Sequence, residues 1–144
     1  MERIRVELGE RAYDICLGED LLPRVGELCQ EAGLTGRGLL VSNPLVYSLY
    51  GGVVEASFDK AGISVVYAEM DDGEEFKNLA TVSHLYDVAI GSRLDRTSFI
   101  IALGGGVVGD VAGFVAATYL RGVPFVQIPT TLQAQVDSSV GGKV

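Results

Sequence analysis

Residues 99–110 read Phe-Ile-Ile-Ala-Leu-Gly-Gly-Gly-Val-Val-Gly-Asp, and the reading of this stretch decides the fold. An unbroken apolar run with no alternation describes a strand buried on both faces, as in the middle of a parallel sheet. Gly104-Gly105-Gly106-Val107-Val108-Gly109 then satisfies G-x-G-x-x-G, and a helical apolar pattern follows from Asp110 to about residue 120. Glycines at this spacing let the chain turn tightly and let backbone approach a pyrophosphate, whose charge meets the amides and positive end of the next helix. A glycine loop needed only for packing would look alike. Two features depart from the usual dinucleotide fingerprint: the motif lies mid-chain, and the next strand, ending at Ile128, carries no acidic residue at its tip. The stretch is not a membrane span, because Asp110 at its centre would cost roughly 2.5 to 3.5 kcal/mol in a bilayer and three consecutive glycines suit a turn.

Strand and helix patterns alternate on both sides of it. Ile4, Val6 and Leu8, then Tyr13, Ile15 and Leu17, alternate around Gly9-Glu10 as an antiparallel hairpin would. Leu21, Leu22, Val25, Leu28, Cys29 and Ala32 recur at helical spacing before Gly33. A buried strand at 38–41 leads to Asn43-Pro44, a helix entry, with Gly51-Gly52 expected to break the helical region that follows. A strand at 63–67, a helix from Phe76 that fades near Gly91, the strand 98–103, the glycine loop, a helix and the strand 124–128 complete the series. This pattern predicts an α/β fold, a Rossmann-like, largely parallel sheet with flanking helices and an N-terminal antiparallel hairpin, in one domain over 1–144. Ligands of such sheets sit beyond the strand C-termini.

Composition narrows the function. The 144 residues are 48% hydrophobic and 21% charged, with a net charge of −8 and a pI near 4.5. That balance argues against a nucleic-acid surface or an anionic-membrane patch and leaves a small-molecule role. Cys16 and Cys29 stand apart, with no metal-ligand spacing around them. The N-terminus has no apolar signal region, so the cytoplasm is the expected location. His84 is the only histidine, so the chain cannot supply a two-histidine zinc site.

Several strand-exit residues have two readings. Glu74 in Asp72-Gly73-Glu74-Glu75-Phe76-Lys77 could accept ribose hydroxyls while Lys77 neutralises a phosphate, yet an acidic first turn with Lys at i+3 is also ordinary helix electrostatics. Thr130-Thr131 could hold an amide or ribose, or simply enter a helix. Arg121-Gly122 could clamp an anion or cap a helix C-terminus.

Taken together, Gly104 to Asp110, Arg121-Gly122-Val123-Pro124, Gln127-Ile128-Pro129-Thr130-Thr131-Leu132 and Val136-Asp137-Ser138-Ser139-Val140-Gly141-Gly142-Lys143 closely resemble the 3-dehydroquinate synthase family. The resemblance runs in order from Asp72 to Lys143 and more weakly through the N-terminal strands. It implies an NAD-binding first domain cut before a helical second domain that holds a catalytic metal, zinc or cobalt. It implies NAD contacts from Asn43, Asp72, Glu74, Lys77, Gly105, Gly106, Val107, Asp110, Thr130, Thr131 and Lys143. Asp137 and Lys143 resemble residues that reach substrate, and Arg121 one that reaches a substrate phosphate across a homodimer interface.

The implied reaction converts 3-deoxy-arabino-heptulosonate 7-phosphate to 3-dehydroquinate and phosphate, in the shikimate route to aromatic amino acids, with NAD as a reversible electron sink. Without the metal-binding part the chain is expected to be inactive. Gln133 and Val144 depart from the family pattern, which usually has an apolar residue and Thr there. A sister sugar-phosphate cyclase, a polyol dehydrogenase of similar fold and a non-catalytic nucleotide-binding fragment remain alternative readings.

Overall fold

The computed structural model describes residues 1–141. β1 (Glu2–Val6) and β2 (Tyr13–Leu17) pair antiparallel with Ile4 opposite Ile15, in a two-stranded sheet of their own. Their connection is longer than a tight turn and contains a 3-10 turn at Gly9–Arg11. The main sheet holds β3 (Gly38–Ser42), β4 (Val65–Glu69), β5 (Phe99–Gly104) and β6 (Phe125–Pro129), all parallel, in the order β4-β3-β5-β6. Five helices connect or flank them: α1 (Val25–Glu31), α2 (Pro44–Val46), α3 (Gly52–Lys60), α4 (Leu79–Gly91) and α5 (Gly106–Thr118).

Every residue of β3 and β5 is buried, which explains their unbroken apolar runs. Successive side chains leave opposite faces and build two cores. Leu39, Val41, Ile100 and Ala102 pack with Val82 and Leu85 of α4 and with Val111, Ala112 and Val115 of α5. Leu40, Phe99, Ile101 and Leu103 pack on the other face with Val25 and Cys29 of α1 and with Val54 and Phe58 of α3. Burial holds the Cys29 thiol neutral by pushing its pKa up to about 12, consistent with an apolar packing role.

Three expectations are corrected. Gly51-Gly52 does not interrupt the helical region: a π-helical stretch, Tyr47–Gly51, joins α2 to α3 without a break. The reason is steric. A Cβ on Gly51 would lie 2.3 Å from the Tyr47 ring, which stacks on Tyr67 at 3.7 Å between centroids, so glycine is there to admit an aromatic ring rather than to end a helix. Second, α5 begins at Gly106, not Asp110, so Gly109 belongs to the helix rather than to a loop. Third, α1 is preceded by a 3-10 turn, Leu22–Arg24, where Pro23 removes an amide donor. Beyond α5, Leu120 (φ 49) and Arg121 (φ 70) adopt left-handed conformations before Gly122 (φ 109).

The Gly51 contact yields a test. Gly51→Ala forces a methyl group into the Tyr47 ring, and overpacking of this kind costs about 1–3 kcal/mol. The urea midpoint should fall with an unchanged slope; a midpoint equal to wild type would contradict the assignment.

Candidate nucleotide-binding site

The chain leaves β3 toward β4 on one side and later returns to β5 on the other, so the tips of β3 and β5 face a crevice where the strand order reverses. Ser42 at the tip of β3 is fully buried and its Oγ donates to the Leu103 carbonyl of β5 at 2.7 Å, tying the two tips together. The glycine turn leaves β5 at this point.

Helix caps distinguish the three helices entered from strand exits. Asn43 caps α2, its Oδ1 accepting from the Val46 amide at 2.9 Å, and Asn78 caps α4 through the Thr81 amide at the same distance. The N-cap of α5 is Gly105, which has no side chain with which to cap the first-turn amides as Asn43 and Asn78 do. Amides left this way, together with the helix dipole, form a ready anion site.

Glycine is required at this turn. A Cβ on Gly104 would stand 2.8 Å from Val108, one on Gly105 3.2 Å from Thr131, and one on Gly106 3.3 Å from Ser138. The first lets α5 press onto β5. The other two keep clear the space between the turn and the segment after β6, where a second π-helical stretch spans Ala134–Ser138. The Thr130 amide donates to the Gly104 carbonyl at 3.0 Å, and Thr131 Oγ1 accepts from the Ala134 amide at 3.1 Å, which ties this segment to the turn.

Charge gathers on the opposite side of the turn. Lys77 Nζ lies 2.8 Å from Asp110 Oδ2 and 3.1 Å from Glu74 Oε1, joining the loop after β4 to the second turn of α5. Hydrogen bonds to Asp110 and then Glu74 hold the Lys77 ammonium above its ordinary range. Asp72 lies in the same connection, in exposed chain ahead of Gly73, whose φ of 120 only glycine adopts readily.

The fold thus brings together Glu74, Lys77, Asp110, Gly105, Gly106, Val107, Thr130 and Thr131 around one strand tip, with Asn43 buried at the neighbouring tip. Asp137 lies on the Ala134–Ser138 segment. Arg121 does not join them, since it follows α5 at its far end, about 20 Å away at 1.5 Å per helical residue. Lys143 lies outside the described residues. Two residues of the site were not singled out from the residue pattern: Ser138, which covers Gly106, and Gln127, a lone polar residue in the otherwise apolar β6. Among the described residues no group of three His, Cys, Asp or Glu side chains could hold a metal ion, and no helix is long and apolar enough to cross a membrane.

A family profile described as 3-dehydroquinate synthase N-terminal matches residues 67–144, more than half of the chain. The chain belongs to the 3-dehydroquinate synthase family. It is 58% identical to a 3-dehydroquinate synthase of Citrifermentans bemidjiense over 99% of its own length and 39% of that protein's. A 3-dehydroquinate synthase of Pelotomaculum thermopropionicum is also 58% identical, over 100% of this chain and 39% of the relative. The chain therefore spans about two fifths of the length of these 3-dehydroquinate synthases.

Among solved structures, 2-deoxy-scyllo-inosose synthase with carbaglucose-6-phosphate, NAD+ and Co2+ superposes with a TM-score of 0.86 at 28% identity, over 95% of this chain and 37% of that one. A 2-epi-5-epi-valiolone synthase of Streptomyces hygroscopicus with NAD+ and Zn2+ gives 0.79 at 31%, over 94% and 37%. An NADH-dependent butanol dehydrogenase of Thermotoga maritima shares the fold at 0.64 and 22% identity, over 78% and 31%.

The Lys77 ion pair carries a pH signature. A cation whose folded-state pKa is raised stabilises the fold fully below its unfolded value, near 10.5, and loses that contribution as pH climbs through the folded value. A double-mutant cycle with Lys77→Met and Asp110→Asn should return a coupling of at most about 1 kcal/mol at pH 7, since both side chains are about a third exposed. It should stay constant to pH 9 and shrink above about 10.5; coupling that persists at pH 12 would contradict the pairing.

Proposed function

We propose that this chain forms the NAD-binding part of a 3-dehydroquinate synthase that converts 3-deoxy-arabino-heptulosonate 7-phosphate to 3-dehydroquinate and phosphate. The carrying observation is the uncapped N-terminus of α5, set behind a three-glycine turn at the point where the strand order reverses. Two structural neighbours hold NAD+, and the identity to 3-dehydroquinate synthases is about twice that to the 2-deoxy-scyllo-inosose synthase, which favours this reading over a sister cyclase.

The residues fit a dinucleotide. Gly105 and Gly106 keep open a cradle that a Cβ would narrow against Thr131 and Ser138, and the amides of Gly106 and Val107 receive the pyrophosphate there. Glu74 accepts from ribose hydroxyls, with Asp72 beside it, while Lys77, steadied by Asp110, offsets phosphate charge. Thr130 and Thr131 hold the nicotinamide end, and Asn43, whose Oδ1 is engaged as a helix cap, meets the adenosine end through its amide nitrogen. When bound, NAD supplies a reversible hydride acceptor that is regenerated in each turnover. Asp137 reaches toward substrate and Lys143 completes the site.

Turnover in this reading needs the additional length that the relatives carry. The described residues do not fit a metal ion, so the cobalt or zinc seen in the neighbours would be held elsewhere. Arg121, at the far end of α5, meets a substrate phosphate only from a second copy, so the reading includes a homodimer.

Calorimetric titration with NAD tests this directly. Saturable binding is expected, weakened at least tenfold by Gly106→Val, which fills the cradle against Ser138, with the thermal midpoint little changed. A folded wild-type chain that does not bind NAD would overturn the reading.

A further inference from the structure

Gln127 is the one polar side chain in β6, flanked by Val126 and Ile128, and it sits half-buried beneath the glycine turn. Its Nε2 donates to the Ser139 carbonyl at 3.3 Å, long for such a bond but with an acceptor that can do nothing else. That fixes the amide's orientation, because the flipped form would set two oxygens against each other. Oε1 then points toward α5 and stands 3.4 Å from the place a Cβ on Gly109 would occupy. Gln127 thus stands between the walls of the narrow gap, facing the first turn of α5 at Gly109 and bonded to the end of the Ala134–Ser138 segment at Ser139. Gly104, Gly105, Ala134 and Ser138 line the same gap.

We propose that Gln127 is a positioning residue that holds the segment carrying Asp137 against the glycine turn and so sets the width of the nucleotide cradle. The role deepens the NAD-binding reading above and rests on it. Three other ties, the Thr130 amide to Gly104, Thr131 Oγ1 to the Ala134 amide and Gln135 Nε2 to the Pro129 carbonyl, secure the start and middle of the segment. Toward its far end Gln127 adds a tie at Ser139. Ser138 directly precedes Ser139, so loss of this tie loosens the end of the segment while the ties at its start stay in place.

The test separates the pin from the nucleotide. Gln127→Met keeps the length and removes the donor; Gln127→Glu keeps the shape and turns an oxygen toward the Ser139 carbonyl. Amide hydrogen exchange of the ligand-free chain should rise about tenfold or more in peptides covering 132–141 in both variants, with peptides from β3 and α4 unchanged. Unchanged exchange in 132–141 would overturn the proposal, as would a rise spread evenly over the whole chain. In wild type, NAD should slow exchange in that segment, and Gln127→Met should bind NAD about three- to tenfold more weakly with little protection of the segment. A loosened segment with wild-type NAD affinity would overturn the role in setting the cradle. A wild-type chain indifferent to NAD would sink the nucleotide reading instead, and the ligand-free exchange would still decide whether Gln127 pins the segment.

Discussion

The absence of a side chain at Gly104 is the constraint on which the rest of the structure depends. Val108 occupies the space a Cβ there would need, at 2.8 Å, so α5 starts directly on top of β5 rather than beside it. From that start, Val111, Ala112, Val115 and Ala116 bury one side of α5 against the sheet. The same start aims the free amides of the first turn at the gap between the tips of β3 and β5. A residue with any side chain at position 104 would lift the helix, open the core beneath it and turn the amides away together. Packing and ligand geometry are one requirement here, which is why a single glycine serves both.

Most of this architecture was legible in the sequence because burial on two faces leaves an unmistakable run, as in residues 99–103, and because glycine after such a run has few uses. The errors have local causes. Gly51-Gly52 carries the composition of a break, but composition does not record that an aromatic ring four residues earlier folds over Gly51. Gly106 and Gly109 carry the composition of a loop, yet a helix already packed at both ends tolerates them. At the site, the glycine turn and the threonines could be read from their spacing. The Lys77–Asp110 pair could not, because it joins two elements distant in sequence that meet only once the sheet has formed. Gln127 did leave a trace, a polar residue inside an apolar strand, and the fold turns that trace into a contact.

The electrostatics follow a related economy. With a net charge of −8 the chain repels phosphate-bearing molecules at long range, although physiological salt confines that repulsion to roughly 8 Å. Among the described residues, Lys77 is the cation beside the glycine turn, and it is already shared between two carboxylates. Its pull on an anion is tempered by that sharing, and the backbone dipoles supplement it, adding no net charge and not titrating away.

The strand order has a consequence for how the chain comes to be folded. β3 lies at the centre of the sheet, yet its neighbour β5 is made some sixty residues later and β6 later still. No two of these parallel strands can zip together from a hairpin, so each pairing must close a long loop before it gains anything. On the ribosome the central strand meets β4 first, and its other edge waits until β5 has been synthesised. The hairpin of β1 and β2, whose pairing is local and whose sheet is separate, is free of that delay. Assembly is thus staggered, with the short N-terminal ribbon independent and the parallel sheet completed last, when β5 and β6 have been made.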